Sequence, residues 1–155
     1  MTDHTLKELM AYCGSMVESL FRKFNVIRPL YLVFLDDDVF IMPAPEVTDK
    51  DMAVEMVRAA FAEMRPEAYI YMDEAWLVKS DEKIDDSKSL EGHPDRQEVI
   101  HMFIETCAGG SCMAFRNILQ RNPPLLGPME IKENYAIIEG RMCGLLPPPD
   151  NIKLN

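Results

Sequence analysis

From Thr5 to Phe24 the residues Leu6, Leu9, Met10, Cys13, Met16, Val17, Leu20, Phe21 and Phe24 recur at steps of three and four, drawing one apolar stripe down a helix. Thr5 and Glu8 stand at capping-box spacing, and Asn25 tolerates the left-handed backbone that stops a helix. Cys13 falls on the stripe and reads as a small core residue. After Pro29 the period changes: Leu30 to Leu35 and Val39 to Met42 flank Asp36, Asp37 and Asp38, which predicts a β-hairpin. Three adjacent carboxylates suit a hard cation such as Mg²⁺. Asp is also a turn former, and Mg²⁺ sites draw ligands from several segments, so a turn is the expectation.

Pro43 and Pro45 break the strand, and Thr48 with Asp51 marks the start of a second helix whose stripe is Ala53, Met56, Val57, Ala60, Phe61 and Met64. Pro66 cannot continue it. Ala68 to Val78, rich in β-formers, predicts a strand with Ile70, Met72, Glu74, Trp76 and Val78 on one face and Tyr69, Tyr71, Asp73, Ala75 and Leu77 on the other. Lys79 to Arg96 lacks apolar periodicity; a polar connection of roughly eighteen residues inside a domain is usually functional or mobile.

Val99 to Cys107 and Cys112 to Leu119 predict a second hairpin, with Gly109-Gly110 as a two-residue primed turn. Counting back from that turn sets Ala108 against Ser111, Cys107 against Cys112, Ile104 against Phe115 and Met102 against Asn117. The better core face then carries Ile100, Met102, Ile104, Thr106, Met113, Phe115 and Leu119; His101, Phe103, Glu105, Cys107, Cys112, Ala114 and Arg116 share the other. Pro123, Pro124 and Pro128 interrupt the chain, Met129 to Ile138 suits one more strand, Gly140 a turn, and Pro147-Pro148-Pro149 an extended tail.

The order helix, hairpin, helix, strand, hairpin, final strand implies an α+β fold: a mostly antiparallel sheet of about five strands with two flanking helices. By analogy of topology alone, this order is similar to the roadblock and profilin-like arrangement. With 155 residues, 48% hydrophobic and 27% charged, the chain is expected to fold as a single domain over 1–155. A formal charge of -10 argues against a nucleic-acid partner and against anionic membrane surfaces. The longest apolar run, Leu30 to Leu35, falls far short of the ~20 residues a spanning helix needs. Met1 to Lys7 carries no export pattern, so a cytoplasmic location is expected, with Cys13, Cys107, Cys112 and Cys143 as reduced thiols.

The best candidate polar site is Glu74, His93, Asp95, Arg96 and Glu98. An imidazole beside carboxylates suits a general base or a metal ligand, and a guanidinium clamps an anion through two parallel hydrogen bonds. The same residues suit a loop latch, with Arg96 as the partner that Glu74 needs on an otherwise apolar face. Trp76 reads as packing. His101 with His93 is weak evidence for metal, and no metal or cofactor site is expected. Cys107 and Cys112 form a candidate thiol pair, since residues opposed at a non-hydrogen-bonded pair approach to about 4.5 Å between Cα atoms. Against redox use, no Lys, Arg or His adjoins them in sequence. The 12 methionines mostly fall on buried stripes and read as gap-fillers, though Met also serves adaptable binding surfaces.

Arg28-Pro29 before a strand, Glu74-Ala75-Trp76, and His93-Pro94-Asp95-Arg96 followed by Glu98 together resemble a group of small uncharacterised bacterial and phage-associated proteins, over about Arg28 to Pro147. The resemblance extends to Gly127-Pro128 and Gly144-Leu145-Leu146-Pro147 and implies no activity, cofactor or catalytic residue. Core-like patterning without a complete catalytic set points to a non-enzymatic interaction or structural module. Self-association, a dimer first, through a sheet edge or a Met-bearing helix face is the expectation. The alternative is a small enzyme or ligand-binding protein using the five polar residues.

Overall fold

Helix α1 (Leu6–Phe24) buries Leu9, Cys13, Val17 and Phe21 of the stripe its sequence draws, with Leu6, Met10, Met16 and Leu20 packed beside them, but Phe24, at the last turn, is 58% exposed. It stops where Asn25 takes a φ of 62° and its N–H donates to the Phe21 carbonyl. Strands β1 (Leu30–Leu35) and β2 (Asp38–Pro43) follow as a hairpin closed by Asp36 and Asp37, with Asp36 at φ 52°. Helix α2 (Lys50–Met64) is capped by Asp49, whose side chain accepts from the Asp51 and Met52 N–H groups, and ends at Arg65 in the left-handed region, just before Pro66. The remaining strands are β3 (Ala68–Lys79), β4 (Gln97–Thr106), β5 (Ser111–Gln120), β6 (Leu125–Ile131) and β7 (Ala136–Ile138). The computed structural model describes residues 6–79, 94–108, 110–131 and 136–138. Thr5, His93, Gly109, Gly140, Cys143 and the Pro147-Pro148-Pro149 tail lie outside the described residues.

All pairings are antiparallel, in the order β2-β1-β3-β4-β5-β6, and β7 joins β3. The fold is α+β, with more strands than the pattern suggests: the stretch that reads as one strand from Met129 is two. β6 begins at Leu125, with register shifts between Arg116 and Gln120 on its partner, and ends at Ile131; β7 crosses to β3. Each helix covers one face. α1 packs on Leu32, Phe34, Ile70, Met72, Ile100, Met102 and Ile104, and α2 packs Val54, Val57 and Phe61 on Tyr31, Val33, Tyr69, Tyr71 and Phe103. Met56, assigned by period to the stripe of α2, is 48% exposed, and Val54 takes its place in the core.

The second hairpin is three residues out of its sequence-based register. Ile104 faces Cys112, His101 faces Phe115 and Val99 faces Asn117. With Glu105 opposite Ser111, Thr106 and Gly110 close a longer loop: the Thr106 N–H donates to the Gly110 carbonyl, and its Oγ1 accepts from the Gly110 N–H. Cys107 N–H is drawn to the Glu67 carbonyl at the start of β3. An odd shift exchanges the faces of β5, so Phe115 and Met113 lie with Leu77 and Val99 rather than under α1.

Candidate functional site

β3 pairs with β1 up to Met72 and with β7 from Leu77, so Asp73 to Trp76 form a window between two neighbours on one edge while β4 runs along the other. Glu74 points to the α1 side of this window. Its Oε1 lies 2.7 Å from Arg121 Nη2, its Oε2 lies 3.3 Å from Arg121 Nη1, and the Ile27 N–H donates to Oε2 at 2.9 Å. Arg121, on the β5–β6 turn, also donates to the Asn25 carbonyl at 3.1 Å and approaches Glu98 Oε1 at 3.4 Å. Its pKa is raised, first by the hydrogen bond to Glu74.

The partner of Glu74 is therefore Arg121, not Arg96. Glu98 faces Trp76 in the ladder, so Arg96 lies beyond Trp76 from Glu74, and its guanidinium sits 4.7 Å from the centre of the Trp76 ring. Of the sequence-nominated set, Glu74 and Glu98 meet through Arg121, Arg96 caps the indole next to them, Asp95 is exposed at the strand entrance, and His93 lies outside the described residues. With both oxygens occupied, Glu74 is a tie between the end of α1, β3 and the β5–β6 turn.

The opposite face of the window carries a second polar group that residue spacing does not reveal. Asp73 faces His101 across the ladder; His101 Nδ1 lies 3.1 Å from Asp73 Oδ1, and the Tyr71 hydroxyl donates to Asp73 Oδ2 at 2.9 Å. A carboxylate only accepts, so Nδ1 is the donor of this contact. Nε2 is buried without a hydrogen-bond partner among the described residues, as is the Tyr31 hydroxyl. Burial, then the charge of Asp73, pushes both the Tyr31 and the Tyr71 phenol above their ordinary value, and Tyr71's hydrogen bond to Asp73 adds to the shift. An aspartate orienting an imidazole suits proton transfer. Here the imidazole is only 2% exposed, which denies a substrate approach to it.

Cys107 and Cys112 are not opposed. Cys107 is exposed in the turn, and Cys112 stands across from Ile104 with its thiol near the Met113 carbonyl; both are free, as is buried Cys13. Burial raises the Cys13 thiol to about 12 and also raises Cys112. Among the described residues no three His, Cys, Asp or Glu side chains cluster as metal ligands, and the Asp36-Asp37-Asp38 run is the exposed turn.

Two further features lie on the described surface. An open groove of about 650 Å³ runs between α1 and β5–β6, lined by Met10, Gly14, Glu18, Arg116 and Met129. There Arg116 donates to Glu18 at 2.6 Å and to the Gly127 carbonyl at 2.7 Å. At the far end of the sheet, β2 pairs only with β1 among the described strands, and Val39, Phe40 and Ile41 are 42%, 50% and 66% exposed.

Arg121 escapes a reading of the sequence because the prolines after it mark only a chain break, and Asp73 because its partner depends on the β3–β4 register. A lone cation closing a strand and an acid on a face of tyrosines are the available signals. No described helix is long and apolar enough to cross a membrane. Comparison with protein-family models, curated proteins and solved structures finds no match for this chain.

Proposed function

We propose that this chain is a non-enzymatic interaction module whose binding element is the free edge of β2. The observation that carries the reading is that β2 exposes Val39, Phe40 and Ile41 on both faces of the sheet while its outer edge has no partner among the described strands. Monomeric proteins guard such edges with lysines, inward charges, bulges or prolines. β2 carries such a guard only at its ends, Asp38 and Pro43, and none between Val39 and Met42. An added strand gains main-chain hydrogen bonds there, and its side chains find apolar neighbours on either face. A protein partner suits the net charge of -10, which disfavours nucleic acid, and free thiols suit a reducing compartment such as the cytoplasm.

The enzymatic alternative has weaker support. Both oxygens of Glu74 serve structural donors, and the only described imidazole oriented by a carboxylate lies inside the core.

A photo-crosslinking residue placed at Phe40 of the full chain in the producing cells tests the proposal, with the same residue at exposed Glu63 of α2 as control. Covalent adducts to another protein chain, of whatever identity, are expected from position 40 and not from 63. Absence of adducts at 40, or equal yields at both positions, overturns it.

A further inference from the structure

Building on that reading, we infer that the partner taken up by β2 is a second copy of this chain, joined antiparallel across a two-fold axis at Phe40. The hydrogen-bond phase of the hairpin fixes which backbone groups are available. Ala44 N–H donates to the Pro29 carbonyl at 3.1 Å, and the two-residue turn places Leu35 opposite Asp38. Both set the even-numbered residues of β2 in the bonded pairs with β1, because bonded and non-bonded pairs alternate along an antiparallel ladder. The N–H and C=O groups of Val39 and Ile41 therefore point outward, followed by the carbonyl of Pro43, which has no N–H.

This outward pattern is symmetric about Phe40. An axis there opposes Val39 with Ile41 of the second copy and Ile41 with its Val39, so every outward N–H and C=O of the two residues finds a partner. Moving the axis to Ile41 sets the Val39 carbonyl against Pro43, which has no proton to offer. Moving it to Val39 sets Asp37, a turn residue, across from Ile41. Parallel pairing places the Asp36 to Asp38 runs of both copies side by side, a costly contact for chains of charge -10. In the antiparallel arrangement centred on Phe40 the acidic turns lie at opposite ends, and Asp38 faces Met42.

The side chains fit the same axis. Val39 and Ile41 stand on the α1 side, across from Phe34 and Leu32. On that side Tyr12, 39% exposed, sets its ring edge-on to Phe34 at 5.7 Å. Two copies bring four aliphatic side chains together there. On the α2 side Phe40 meets its own symmetry mate, with Met42 next in line, which converts an exposed edge strand into the centre of one continuous sheet.

The test uses the full chain with Cys107, Cys112 and Cys143 replaced by serine and buried Cys13 retained. Phe40→Cys is expected to yield a disulfide-linked dimer on mild oxidation, because residues opposed at a two-fold non-hydrogen-bonded pair lie about 4.5 Å apart at Cα; Glu63→Cys is expected to form no disulfide-linked dimer. In parallel, sedimentation velocity should find unmodified protein as a dimer that dissociates on dilution. Ile41→Lys should weaken that dimer on the order of tenfold or more while leaving the circular dichroism spectrum unchanged. A dimer that survives Ile41→Lys, or that fails to cross-link in the Phe40→Cys variant, overturns the two-fold arrangement. A strict monomer at every concentration overturns the choice of a second copy. In either case adducts from the photo-crosslinker at Phe40 would keep the edge reading alive with a different chain as partner, and their absence would remove both.

Discussion

Asp73 stands directly across the β3–β4 ladder from His101 and holds two donors at once, His101 Nδ1 at 3.1 Å and the Tyr71 hydroxyl at 2.9 Å. The pair lies on the same face as Tyr31; His101 is 2% exposed and Asp73 15%.

The buried phenols set an alkaline limit on stability. Their folded pKa values are raised above the unfolded value of 10.0, so above that pH the native state keeps protons that the unfolded chain has released. Stability is fully present below about pH 10 and falls as pH rises, by up to about 1.4 kcal/mol per pH unit for each such phenol. Of the five tyrosines, Tyr31 and Tyr71 should ionise only as the protein unfolds. Phenolate absorbance followed together with circular dichroism checks this. Smooth titration of all five in a folded protein would count against it.

Replacing the acceptor should be costly. Asp73→Asn leaves one oxygen for two buried donors, and a loss of about 1–3 kcal/mol is expected from urea unfolding. Tyr71→Phe, which removes a donor rather than an acceptor, should cost less.

The two arginines of the window should differ. Arg121→Ala removes both charged contacts to a half-buried Glu74 and is expected to cost about 1–2 kcal/mol. Arg96→Ala loses a stacking contact on Trp76 and should cost about 1 kcal/mol or less. Arg121→Lys should recover only part of the loss, because a point charge cannot bridge both carboxylate oxygens. Equal losses at 96 and 121 in denaturant titrations would contradict the assignment of Arg121 as the partner of Glu74.

Thiol reactivity should follow position. Exposed Cys107 is expected to react first with a thiol reagent, Cys112 more slowly, and Cys13, raised to about 12 by burial, only on unfolding. Mild oxidation of the folded chain should form no Cys107–Cys112 bridge, as mass spectrometry of a non-reduced digest would reveal.

Gly14 lies within α1, and an added Cβ would meet only the terminal methyl of Met129 at 3.0 Å. That methyl ends a flexible side chain at an open groove, so Gly14→Ala should gain about 0.5–1 kcal/mol from helix propensity. A drop in melting temperature would mean that Met129 cannot move.

The elements themselves are legible because their periods are strong: the α1 stripe, the Asn25 stop and both faces of β3 follow from residue spacing alone. Register is not. A pair of glycines admits more than one loop, and the choice falls to the Thr106 side chain and to a bond from Cys107 to Glu67, a residue forty positions earlier. The same dependence hides the polar groups. Glu74 reads as an acid in need of a partner, yet the cation comes from a different hairpin, and several arginines satisfy the same demand on paper. Asp73 and His101 each fall on a face, but only the β3–β4 pairing turns two placements into a contact.

The sheet also partitions the interior. Phe21 belongs to the apolar cluster beneath α1 and Phe61 to the one beneath α2, with a layer of backbone between them. The two clusters have no member in common, and substitutions without a shared partner are expected to combine nearly additively. Each half of the interior is thus open to redesign by itself, and a sequence drifting on one side leaves the packing problem on the other unchanged.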